Sequence, residues 1–327
     1  MDQLTTPAPD ETVAARLGFT ANGGKVGELL RQLDGNATPL GTPAGWSAAL
    51  KTLMGTILPV KAQIVLFWGP QYVALYNDAY APSIGNKHPR ALGRPAVENW
   101  SELWDDLEPL LRGVRETGET FSAKDRPFYI ERHGRGEAVY FDVSYSAVRE
   151  ADGSVGGVLC VVNETTQRVQ FERRQAFLLE LGQALPSVSE PDQVEALVLR
   201  RLAEELNASQ VFFAENLDAE AALNLRQSVV PHAPCGQPLR PYSAEQNAAL
   251  LAGRSLIQEG GDGAPAAMHV PVVRHGALEA VLVIEHDSHH LFSDFETHLA
   301  EETAKLAWVW ITHALSLIHI SEPTKRT

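Results

Sequence analysis

The chain has 327 residues, of which 44% are hydrophobic and 21% charged, the composition of a folded protein with room for two ordinary domains. Its net charge of −14 weighs against nucleic acid or an anionic membrane surface as partner, since both reward a basic face. No apolar run reaches the ~20 residues of a membrane-spanning helix, and MDQLTTPAPDE lacks the apolar core of a secretory signal. The only cysteines, Cys160 and Cys235, lie far apart and build no disulfide framework, so the expected location is the cytoplasm.

Residues 1–37 are polar and rich in small side chains. They read as an N-terminal extension with one amphipathic stretch at Val26, Leu29, Leu30 and Leu33. After a turn at Leu40–Pro43, Trp46, Leu50, Leu53 and Ile57 recur at helical spacing until Pro59. Gln63–Trp68 and Tyr72–Tyr76, both β-branched and aromatic, flank Gly69-Pro70 and predict a tight antiparallel hairpin. Asn77-Asp78 stops its second strand and caps a short helix at Ala79–Ile84. Gly85–Pro95 is irregular loop. A longer helix follows, with Trp100, Leu103, Trp104, Leu107, Leu110, Leu111 and Val114 on one face and Gly118 past its end. Three strands complete the half: Thr120–Arg132, interrupted near Pro127; the alternating Val139–Val148; and Val155–Val162 after the Asp152-Gly153 turn. Five antiparallel strands with helices on one face make an α+β domain.

Downstream, Phe171, Leu178, Leu181 and Leu185 fall at a and d positions over two heptads. That spacing suits a short dimeric coiled coil, and equally a connector helix packed on the next domain. Ser189 is an N-cap candidate, with Pro191 in the first turn of a helix carrying Val194, Val198, Leu202 and Leu206. Strands are expected at Gln210–Ala214 and Leu225–Val230, and a capping box at Ser243–Gln246 opens a helix to about Ile257. Met268–Val273 and Leu278–Glu285 form a hairpin across Arg274-His275-Gly276. A second capping box, Ser293–Glu296, opens a helix through Phe295, Leu299, Leu306 and Trp310 to about Leu315. This half is also α+β, with no visible internal repeat.

Trp68, Tyr76, Tyr80, Trp100, Trp104 and Tyr140 can line a small-molecule pocket between sheet and helices, or simply fill the core. Asn77 and His88 are the polar groups near them that would orient a ligand, Asn77 serving equally as a strand-end cap. His286, Asp287, His289, His290 and Asp294 are the densest set of metal-ligand types, with spacing suited to Zn²⁺ or Ni²⁺. Loops between strand and helix collect such residues anyway, and no metal is predicted. Asp152–Gly157 lies between two alternating strands, so it is a hairpin turn and not a phosphate loop. No nucleophile-elbow, Walker, C-x-x-C or H-E-x-x-H motif occurs, and no catalytic residue is assigned.

LGTPAGW (Leu40–Trp46), FWGPQYVALYNDAY (Phe67–Tyr80), GNKHPRALGRP (Gly85–Pro95), Trp100–Trp104, Tyr140–Val148 and Val155–Val162 together resemble the N-terminal PAS domain of bacterial sensor histidine kinases. Glu164-Thr165-Thr166-Gln167-Arg168 is similar to the D-I-T-x-R exit that couples PAS domains to their output helix, with Glu in place of Asp. Residues 190–315 resemble a GAF domain in element order and in the hairpin at 268–285. The resemblance implies a PAS domain over 38–168, a signalling helix over 169–188, a GAF domain over 189–315 and a non-native-looking tail, 316–327. It assigns signal relay to Glu164, Thr165, Thr166, Arg168, Leu178, Leu181 and Leu185.

By the same resemblance the chain is the sensory part of a two-component kinase. It would be a homodimer through its linker and C-terminal helices, with a response regulator reached through a kinase part that this chain lacks. The alternatives are the sensor region of another PAS–GAF-regulated enzyme, a phosphatase or nucleotide cyclase, or a cofactor-bearing photosensor or redox sensor. No cofactor is expected, and an unknown small ligand is left open. Flavin photochemistry needs a cysteine that Gly85–Gly93 lacks, and haem needs a histidine that Trp100–Thr117 lacks. Bilin attachment needs a Cys-His pair, but Cys235 is followed by Gly236.

Overall fold

A computed structural model describes residues 17–132, 135–188, 190–216, 223–228, 242–261, 263–287 and 289–321. The chain divides into two units, Met1–Val169 and Gln170–Thr327. Ser189 and Cys235 lie outside the described residues, as do residues 322–327 of the expected tail.

The first unit contains α1 (Gly24–Arg31), α2 (Ala48–Ile57), β1 (Gln63–Trp68), β2 (Val73–Tyr76), α3 (Trp104–Thr117), β3 (Phe121–Arg132), β4 (Arg135–Arg149) and β5 (Val155–Glu164). Its strands form one antiparallel sheet in the order β2-β1-β5-β4-β3. The Ser47 hydroxyl accepts from the Leu50 amide and caps α2, whose Leu50, Met54 and Ile57 are buried. On α3, Leu107, Leu111 and Val114 face the core, and Gly118 at φ +73° ends the helix. Trp68 lies across β5, where a Cβ on Gly157 would stand 2.5 Å from its ring. The glycine pair Gly156-Gly157 therefore makes room for an indole.

Three expectations change in this unit. Residues from Leu17 onward are not an extension, because Val26 and Leu30 are fully buried in the unit's core. Asp78 does not cap the helix that follows it. Its carboxylate instead accepts from the amides of Lys25 (2.9 Å) and Val26 (2.7 Å), capping α1 from a distant part of the chain. Gly24, at φ +61°, allows that approach, since a Cβ there would sit 2.0 Å from the Asp78 oxygen. The segment after Asp78 is a 3-10 turn over Ala81–Lys87. In β3 the break falls at Asp125, which has φ +49°, while Pro127 keeps its pairing with Tyr140. Aspartate is a poor strand former and here marks a bulge.

The helix α4 (Thr166–Ala184) begins in the first unit and ends in the second. The second unit adds α5 (Pro191–Leu206), β6 (Gln210–Asn216), β7 (Leu223–Ser228), α6 (Ala244–Leu251), β8 (Leu256–Gln258), β9 (Ala266–Arg274), β10 (Ala277–His286) and α7 (Asp294–Ser321). Its antiparallel sheet runs β7-β6-β10-β9-β8. Numbered within each unit, both sheets have the order 2-1-5-4-3. The fold class is α+β twice over, as expected. Val194, Val198 and Leu202 of α5 pack with Val270 and Leu282 of the sheet and Leu299 and Ile311 of α7.

Two helix ends differ from expectation. The helix opened by the Ser243–Gln246 capping box stops at Leu251, because Gly253 turns the chain at φ +76° and Leu256–Gln258 pairs with β9. In contrast, α7 passes Leu315 and runs to Ser321, since no helix breaker precedes Pro323. Leu181 and Leu185 are buried in the second unit's own core and Leu178 packs against it, the connector-helix arrangement.

Candidate functional site

Side chains alternate across strands, so one face of the first sheet presents Phe141, Val143 and Tyr145 from β4 together with Cys160 and Val162 from β5. Opposite them stand Tyr80 and Ser83 from the 3-10 region and Trp100, Leu103 and Leu107 around the start of α3. Between these layers is a cavity of about 40 Å³, room for a few waters. Among the described residues no charged side chain lines it.

Of the residues singled out in the sequence, Tyr80 and Trp100 line this cavity. Trp100 packs edge-on against Phe67 at 5.7 Å. Tyr76 and His88 make a separate pair, hydroxyl to Nδ1 at 3.0 Å, beside Tyr80. Asn77 is fully buried and wholly structural. Its carbonyl oxygen accepts from Ile64 and Tyr80 amides, and its amide donates to the carbonyls of Ile57, Val60 and Ala62. Trp68 covers the glycines of β5, and Trp104 packs edge-on against Tyr72 at 6.1 Å. Tyr140 has the opposite strand parity to Phe141 and does not reach the cavity. Ser83, Tyr145 and Cys160 do line it; Tyr145 was legible from β4's alternation, whereas nothing local marked Ser83.

Two residues beyond the cavity, β5 ends in the exit motif. The Thr165 hydroxyl donates to Asp125 Oδ1 (2.7 Å), and the Arg168 guanidinium donates to the same oxygen (2.5 Å). The Asp125 amide donates to Asp142, which anchors the bulge to β4. Thr166 accepts from the Tyr140 amide and donates to Glu164, and the Thr165 amide donates to the Tyr140 carbonyl. Glu164, Thr165, Thr166 and Arg168 thus converge on one clasp, whose centre, Asp125, the sequence did not reveal.

Residues 63–170 match a family model described as PAS fold. The PAS match covers the five strands, the cavity and the clasp. A comparison with curated proteins found no match. Among solved structures, the chain is similar to the GAF domain of a phosphoenolpyruvate-protein phosphotransferase from Coxiella burnetii. That pair shares 18% identity over 45% of this chain and 98% of that one, with a TM-score of 0.37. It is also similar to the chromophore-binding domain of Stigmatella aurantiaca bacteriophytochrome, at 12% identity over 77% and 94% of the two chains and a TM-score of 0.36. The second GAF domain of DevS from Mycobacterium smegmatis gives 18% identity over 40% and 100%, with a TM-score of 0.35.

The PAS cavity is electrically quiet. Burial pushes the Tyr80 and Tyr145 hydroxyls and the Cys160 thiol well above their ordinary pKa values, so all three stay protonated near neutrality. A protonated thiol is a poor nucleophile, which leaves Cys160 a weak donor in an apolar wall. Burial likewise lowers the His88 pKa and favours the neutral imidazole. At the clasp the Arg168 and Thr165 hydrogen bonds hold Asp125 below the usual carboxylate range.

Proposed function

We propose that the PAS unit is a sensor for a small, neutral, largely apolar molecule, bound without a covalent bond, and that its output leaves through the clasp. The observation that carries this is continuity: Cys160 and Val162 line the cavity, and the same strand reaches Glu164–Arg168 within two residues. A ligand that fills the cavity better in one sheet position than another would shift β5 and so the start of α4. Hydroxyls from Tyr80, Tyr145 and Ser83 supply the few polar contacts that orient such a ligand.

In this reading the chain is the sensory region of a cytoplasmic, bacterial histidine kinase, with a response regulator as the kinase part's partner. The resemblance of the exit motif supports that parentage. Homodimerisation through α4 and α7 is part of the same proposal, supported by Phe171 and Leu179 exposed on α4 and Val309 on α7. Light scattering on the purified chain tests it, and a monomer at all concentrations counts against it. Incubation with labelled ATP is expected to leave every histidine unlabelled.

The deciding experiment is native mass spectrometry for a retained small molecule, then hydrogen exchange with the cavity loaded and empty. Xenon, a smaller apolar probe than benzene, serves where nothing is retained. Loading is expected to change amide protection over residues 164–169. Saturating binding with unchanged exchange there would overturn the relay. A visible absorption band would replace this reading with a chromophore-bearing sensor.

A further inference from the structure

In the second unit the sheet's last strand ends at His286 and α7 begins at Asp294, and the turn between them gathers three side chains. His286, opposite Ala266 in the sheet, is only 7% exposed, and its Nε2 is sealed from solvent with no hydrogen-bond partner among the described residues. The His290 ring lies flat on it, with centroids 3.7 Å apart and planes 10° from parallel. Phe292 packs edge-on against both rings, at 5.5 and 4.9 Å. His290 Nε2 is 2.9 Å from Glu296 Oε1. The other Glu296 oxygen accepts from the Ser293 amide and hydroxyl, both at 2.7 Å, so the capping box aims Oε1 toward the imidazoles.

One ligand atom from each residue lies within 4.8 Å of the other two. A buried imidazole nitrogen without a partner is costly, and a metal ion is the partner that an adjoining imidazole and carboxylate would share. Tetrahedral Zn²⁺ with bonds of about 2.0–2.1 Å sets its ligands ~3.4 Å apart, and each imidazole ligates in its own ring plane, so the side chains need to close by roughly an ångström and the stacked rings need to turn out of parallel. Asp287, His289 and Asp294, which lie within the same stretch of sequence, are not part of this group.

We propose that His286, His290 and Glu296 form a site for one divalent transition-metal ion, Zn²⁺ fitting the donor set, with a fourth position left for water or an outside ligand. The site does not depend on the PAS sensor reading. Occupancy would tie the end of β10 to the first turn of α7.

The test is calorimetric titration of the tag-free, chelator-treated full chain with Zn²⁺ alone. One ion per chain is expected, with a raised melting temperature. His286→Ala, His290→Ala and Glu296→Gln are each expected to weaken binding by at least about tenfold. Glu296→Gln keeps the Ser293 cap, and His298→Ala, a nearby histidine outside the group, should leave binding unchanged. If His286→Ala fails to fold, the less buried His290 and Glu296 variants decide. Absence of saturable one-to-one binding, or undiminished binding by the His290 and Glu296 variants, overturns the site.

Discussion

Asn77 shows how one side chain can replace several backbone partners. It joins the start of β1, the end of β2 and the turn after α2 through five polar contacts at zero exposure. Asn77→Ala would take this partner from the Val60 and Ala62 carbonyls and the Ile64 amide, while the Ile57 carbonyl keeps the Val60 amide and the Tyr80 amide keeps the carbonyl of residue 77, and unmade buried hydrogen bonds cost about 1–3 kcal/mol each before relaxation. A loss of roughly 3 kcal/mol or more is expected in denaturant unfolding, and a loss below ~1 kcal/mol would show that water takes over the contacts. His88 is read differently, as the partner of the Tyr76 hydroxyl. His88→Phe should therefore cost stability while leaving any cavity ligand bound, as a parallel ligand titration would show.

At the scale of elements, the hairpin of β1 and β2 and its dependence on β5 invite a steric test. Gly157→Ala would place a methyl 2.5 Å from the Trp68 ring and 2.7 Å from the Phe67 carbonyl. The expected cost is about 1–3 kcal/mol, read from the thermal midpoint. The β3 bulge invites a functional one. Asp125→Ala removes the acceptor shared by Thr165 and Arg168, and faster amide exchange across the first turn of α4 is the expected outcome. These elements differ in how far the sequence revealed them. Strands of clear period, such as Val139–Val148, and caps such as Ser243 and Ser293 were legible because their signals are local. The bulge was not, since Asp125 acquires its meaning from Arg168, 43 residues away. For the cavity, aromatic content drew attention to Tyr80 and Trp100 but also to Trp68 and Trp104, which pack elsewhere. Composition locates a core; only strand parity and packing locate its hollow.

On the scale of the molecule, stability should depend on pH through more than one group. His269 donates to or accepts from the Tyr242 hydroxyl at 2.8 Å, and burial lowers its pKa from the ordinary 6.5 to about 4. The unfolded chain then binds more protons between those values, so stability is full above pH 6.5 and falls as pH drops toward 4. The span corresponds to on the order of 3 kcal/mol, and His269→Gln should flatten that part of a pH–melting curve. Asp125, held below the ordinary carboxylate range, contributes above the unfolded value and loses its contribution on further acidification. No described helix is long and apolar enough to cross a membrane. The remote cap that Asp78 places on α1 also sets where the first unit can be cut. A protein started at residue 38 would leave that carboxylate facing no helix, and would uncover the core surfaces that Val26 and Leu30 now close. Truncations for binding work therefore belong before Leu17, and a start at 38 should give a protein that expresses poorly or aggregates.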